Sequence, residues 1–140
     1  VCEQICKRLN VPPKERSILF DMRYKAEKQL FVLENSSSPF SRQDLYWALI
    51  NFNTEYILYM MALSKKQDIK KAISNFYTHQ RNIKPYIKGR DLLKIGIHSG
   101  PVFSTILNQV LNVKLDGLLK TKKEEIQFAT EYAKKNKLID

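Results

Sequence analysis

Apolar residues recur at three- and four-residue spacing along nearly the whole chain, and no stretch of four to eight residues alternates cleanly between apolar and polar positions. The pattern predicts an all-α fold, a bundle of about six to seven helices with long helices first and shorter, glycine-punctuated ones at the C-terminus. A short helix is expected over residues 2–9, halted before Val11-Pro12-Pro13 because the residue preceding a proline is pushed out of the helical region. Pro13 can open a second helix, carried by Ile18, Leu19, Met22, Ala26 and Leu30 to about Leu33. A turn at Asn35-Ser36-Ser37-Ser38-Pro39 would close it.

Ser41 followed three residues later by Asp44 reads as a capping pair that opens a core helix through Leu45, Ala48, Leu49, Phe52, Tyr56, Leu58 and Tyr59. Tyr46, Trp47, Met60 and Met61 widen its apolar surface beyond one stripe, so it should be covered on more than one side. A further helix is expected over residues 66–80, with Ile69, Ala72, Ile73 and Phe76 inward. After Pro85 the texture changes. All four glycines of the chain, Gly89, Gly96, Gly100 and Gly117, fall here. They separate a short helix over 91–95, ended by Gly96 as a left-handed cap, from one over 101–115 with Ser99 as its N-cap. Thr121 and Glu124 have capping-box spacing and open the last helix, toward a lysine-rich end. The expected organisation is therefore a helical body over residues 1–87 and a helical tail over 88–140 with glycine-bounded turns and a basic surface.

Charge sharpens this division. Residues 1–64 hold 8 Lys/Arg against 7 Asp/Glu, whereas residues 65–140 hold 16 against 7, so nearly all of the net +10 belongs to the second half. Such asymmetry favours a polyanionic partner at one end of the molecule, nucleic acid rather than membrane. No apolar run approaches the roughly 18 residues needed to span a bilayer, and no signal-peptide pattern begins the chain, so a cytoplasmic protein is expected. Val1 in place of a starting Met suggests a piece of a longer chain. Cys2 and Cys6 lie one helical turn apart with His79 and His98 far away in sequence, which reads as two reduced cysteines on a buried face rather than a metal site.

Catalytic patterns are absent from the sequence: no Asp-x-Asp pair, Walker loop, Gly-x-Ser-x-Gly or His-Glu-x-x-His occurs, and His98 has no acid beside it. The run Leu93-Lys94-Ile95-Gly96-Ile97-His98-Ser99-Gly100-Pro101 reads instead as helix, tight hairpin and helix start. Backbone N–H groups near Gly96, Ile97 and Gly100, with a helix dipole behind them, could hold a phosphate without reading a base, and Lys88, Arg90 and Lys94 would add charge. The same glycines equally serve a tight turn between packed helices, and both readings stand at this level.

Gly89-Arg90-Asp91-Leu92-Leu93, Leu93-x-x-Gly96-Ile97-x-x-Gly100-Pro101, Ile106-Leu107 and Leu115-Asp116-Gly117-x-x-x-Thr121-Lys122-x-Glu124-Glu125 resemble, in order and spacing, the C-terminal region of bacterial tRNA nucleotidyltransferases and poly(A) polymerases. Upstream, Lys7-Arg8-Leu9 followed by a long helix, a loop and a core helix is similar to the helical body of that family. The resemblance implies a fragment whose parent uses Mg2+ and nucleoside triphosphates in an N-terminal catalytic head that is absent here. It implies that body and tail hold tRNA so that its 3′ end enters that head. By position, Lys88, Arg90, Lys94, Gly96, His98 and Gly100 would touch backbone phosphates, with Lys120, Lys122 and Lys123 as further candidates. No catalytic residue, metal ligand or bound cofactor is implied for this chain. It departs from the family pattern at Ser99, where a proline is common, and at Phe103-Ser104, where a small glycine is common. A helical protein-interaction or oligomerisation module built on the apolar surface of residues 46–61, and a helix-hairpin-helix DNA-binding domain, are the competing readings.

Overall fold

The computed structural model describes residues 1–36 and 40–139, so the predicted turn at 35–39 falls largely outside the described residues. Eight α-helices are present, and among the described residues there is no strand. They form two compact units, Val1–Thr78 and His79–Asp140.

The first unit contains α1 (Cys2–Arg8), α2 (Pro13–Asn35), α3 (Arg42–Leu49), α4 (Thr54–Leu63) and α5 (Gln67–Thr78). Proline at the start of α2 costs no hydrogen bond, because the first-turn amides have no intrahelical acceptor anyway. Ser41 caps α3 as expected, accepting from the Asp44 N–H at 3.1 Å. The predicted core helix is broken. Asn51 and Asn53 have short polar side chains that favour turns over helix interiors, and Asn53 adopts extended backbone (φ −68°, ψ 164°) as the N-cap of α4. The break lets α3 and α4 both lie against α5, while α4 also packs on α2. This is the two-sided cover that the apolar character of α4 demands. Ile57, Met60, Ile73 and Phe76 are completely buried, each gaining about 1.5–3 kcal/mol from leaving water. Tyr46 stands edge-on to Phe76, ring centres 6.0 Å apart.

Polar ties order the same unit. Glu27 accepts from Arg23 at 2.7 Å and from the Tyr59 hydroxyl at 2.9 Å, joining α2 to α4. Arg23 also reaches the Cys2 sulfur at 3.0 Å. Both cysteines are unpaired, Cys6 buried and Cys2 partly so.

The second unit comprises a 3-10 turn (Gln80–Asn82), α6 (Gly89–Lys94), α7 (Pro101–Leu115) and α8 (Lys122–Lys135). Its core joins Ile87, Leu92, Ile97, Ile106, Val110, Ala129 and Ala133. All three helices end in the same way. The residue two beyond the cap donates back five residues, Ile97 to Leu92, Leu118 to Val113 and Leu138 to Ala133, with the intervening residue left-handed. That left-handed residue is Gly96 after α6, Gly117 after α7 and Lys137 after α8.

Candidate nucleic-acid interface

The second unit carries 12 Lys/Arg against 6 Asp/Glu, so it holds most of the chain's excess positive charge. Its acidic groups are largely engaged in holding the fold. Glu125 is fully buried and accepts from the backbone N–H of Tyr86 (2.7 Å) and Ile87 (3.0 Å) and from the Lys114 ammonium (2.7 Å). Lys114 also sits over the Tyr86 ring, 3.1 Å from its centre. One carboxylate thereby fastens the segment before α6 to α7 and α8.

Asp91 plays a similar part at the start of α6. It accepts from the Lys88 N–H at 2.9 Å and from the Lys122 ammonium at 2.9 Å. Lys122 first, then the Lys88 amide, hold the Asp91 carboxyl below its ordinary value. No reciprocal cap bond to Lys88 is possible, since a lysine side chain has no acceptor. At the start of α8, Thr121 and Glu124 form the expected capping box, Thr121 Oγ1 accepting from the Glu124 N–H at 3.3 Å. The Glu124 carboxyl accepts from Lys120 N–H (2.7 Å) and Thr121 N–H (3.1 Å), and these two bonds keep it below the usual carboxylate range.

The backbone part of the sequence expectation needs correction. The N–H of Gly96 donates to Leu93 O (3.0 Å) and that of Ile97 to Leu92 O (3.1 Å), so both are spent on ending α6. The hairpin is first a helix cap because Ile97 must be buried beside Leu92, and that closure consumes the amides. Gly100 takes the N-cap position of α7, one residue later than the Ser99 expected there, and no side chain caps that helix. Phe103 does not bulge outward. It is tucked over Gly89, where an added Cβ would meet its ring at 3.1 Å.

The side chains named as phosphate contacts are all exposed: Lys88, Arg90, Lys94, His98, Lys120, Lys122 and Lys123, together with the backbone of Gly96 and Gly100. The fold divides them. Arg90 and Lys94 lie one turn apart on α6 and share a face. Lys120, Lys122 and Lys123 gather at the start of α8, where Lys122 is bound to Asp91. Gly96 and His98 lie toward the opposite end of α8, lining an open groove of about 630 Å³ with Ile95, Thr130, Lys134, Lys137, Leu138 and Ile139. Lys134 and Lys137 were not singled out from the sequence, although the lysine-rich end of the chain was the signal for them.

Sequence comparison then decides the relationship. Over 131 residues, 91% of its length, the chain is 34% identical to an A-adding tRNA nucleotidyltransferase of Geobacter sulfurreducens. The chain is related to the tRNA nucleotidyltransferases. A second such relative, the A-adding tRNA nucleotidyltransferase of Halalkalibacterium halodurans, is 28% identical over 107 residues, 76% of this chain. The chain spans 15% of the length of the first tRNA nucleotidyltransferase and 24% of the second, consistent with a match to their C-terminal region. No family model matches the sequence. No solved structure matches it.

Among the described residues no three His, Cys, Asp or Glu side chains come together to hold a metal ion. The carboxylates that might have served, Asp91, Glu124 and Glu125, are bonded to lysines or backbone amides. The residues described therefore do not fit a metal ion.

Proposed function

We propose that this chain is the tRNA-holding segment of a tRNA nucleotidyltransferase, and that it positions the RNA while nucleotidyl transfer takes place in a catalytic head outside it. Following its two relatives, the reaction proposed for the parent is addition of A to the tRNA 3′ end, with nucleoside triphosphate and Mg2+ engaged by that head. The observation that carries the reading is the second unit's charge arrangement. Its buried or capping carboxylates are internally neutralised, while Lys88, Arg90, Lys94, Lys120 and Lys123 are exposed and, among the described residues, lie outside every salt bridge. Lysines and arginines presented this way attract a phosphate backbone and carry no base-reading geometry, which suits a folded RNA held by shape. With tRNA as partner, the proposed site of action is the cytoplasm. No helix among the described residues is long and apolar enough to cross a membrane.

The test is binding of the chain to unfractionated tRNA and to duplex DNA of equal charge across a salt series. Preferential tRNA binding is expected, with log affinity falling by about 0.7–0.9 per phosphate neutralised for each unit of log salt. Equal binding to both, or none to either, would overturn the reading.

A further inference from the structure

We infer that the groove between the α6–α7 hairpin and the end of α8 is a binding site for an RNA phosphodiester strand, contacted by Lys134 and Lys137 with His98 opposite. The inference rests on the proposed tRNA-holding role and specifies which surface performs it. Three observations support it independently of that role. First, the groove brings Lys134 and Lys137 at the end of α8 together with His98 from the α6–α7 hairpin, and among the described residues no acidic one lines it. Neither lysine is in a salt bridge among the described residues, in contrast to Lys114 and Lys122.

Second, the left-handed residue that ends α8 is Lys137 (φ 54°), where the other two helices of this unit use glycine. A lysine there is conformationally unfavourable. Lys134 and Lys135 already supply cations to the last turn of α8, so complementing the helix dipole does not require a third at this position. The exception to the unit's own capping rule is a residue that lines the groove, and local rules are broken where function needs a side chain.

Third, the lining contains no phenylalanine, tyrosine or tryptophan on which a base could stack. Lysines act as point charges, and the volume of about 630 Å³ exceeds what one phosphate group would fill. The chemistry favours a strand of backbone phosphates over a mononucleotide held by its base.

The experiment compares three variants of this chain for binding to unfractionated tRNA in low and moderate salt. Lys134→Glu/Lys137→Glu reverses charge in the groove, and Lys14→Glu/Lys28→Glu makes the same charge change at two exposed positions of α2. Lys137→Gly removes the side chain while relieving the backbone. The groove pair is expected to lose tenfold or more in affinity, with the salt slope lowered by about 1–2. The other pair should lose less than threefold, and Lys137→Gly should weaken binding while the protein becomes no less stable. A role confined to helix capping would leave binding by Lys137→Gly unchanged, and that result overturns the inference. Equal losses in the two charge-reversed pairs would overturn the groove while leaving the tRNA-holding role intact. Failure of the unmodified chain to bind tRNA would overturn both.

Discussion

The Lys114 ammonium lies 2.7 Å from the Glu125 carboxylate in a setting where Glu125 has no exposed surface and Lys114 retains a tenth of its own. Removing one member strands the other. Glu125→Ala leaves a nearly buried lysine and two backbone N–H groups, those of Tyr86 and Ile87, without their acceptor. The expected cost is about 3–5 kcal/mol, read by urea denaturation. Glu125→Gln with Lys114→Met should be milder, since an amide oxygen still serves the backbone and no charge is stranded. A double variant as unstable as Glu125→Ala would show that the pair does not act through charge.

Acid should loosen the second unit. Asp91 and Glu124 are held below their ordinary values by Lys122 and by the backbone amides of Lys88, Lys120 and Thr121. In the window below the unfolded values of about 3.9 and 4.3, the unfolded chain binds more protons than the folded one. Their contribution is therefore complete above about pH 5 and is lost as the pH falls through the folded values. The thermal midpoint should drop between pH 5 and pH 3, and Asp91→Asn should flatten that drop. An unchanged slope in Asp91→Asn would assign the acid sensitivity to other groups.

Substitutions at two equivalent cap positions should act in opposite directions. Gly96 has φ 91°, and a side chain there would meet Ile139 Cγ2 at an ordinary 3.7 Å, so the penalty is conformational rather than steric. Gly96→Ala should cost about 1–2 kcal/mol and Gly96→Val more, because branching at Cβ worsens the left-handed conformation. Lys137→Gly relieves the same kind of strain and should add about 0.5–1 kcal/mol. Chemical denaturation of the three variants measures both signs, and a destabilised Lys137→Gly would contradict the strain assigned to that residue.

Arg90 and Lys94 offer a test in which stability and binding separate. Both are exposed and lie outside every salt bridge among the described residues. Arg90→Glu/Lys94→Glu should shift stability by no more than about 0.5 kcal/mol, yet weaken tRNA binding severalfold and lower its salt dependence. Parallel loss of both properties would mean that these side chains support the fold.

The all-α class, the positions of most helices and two of their caps were readable from the sequence, because apolar spacing and pairs such as Ser41 with Asp44 and Thr121 with Glu124 act within a few residues of one another. The basic character of the second half was equally plain, since charge is a property of composition. Tertiary structure decided what depends on residues distant along the chain. It broke the predicted core helix at Asn51–Asn53 so that α3 and α4 could each meet α5. It also spent the amides of Gly96 and Ile97 on a helix end that buries Ile97 beside Leu92. Of two adjacent glutamates, it exposed Glu124 as a cap and buried Glu125 against Lys114, a choice set by which face of α8 turns inward. His98 and Lys137 became neighbours around one groove for the same reason: local spacing can specify a helix and its ends, but only packing brings the ends of different helices together.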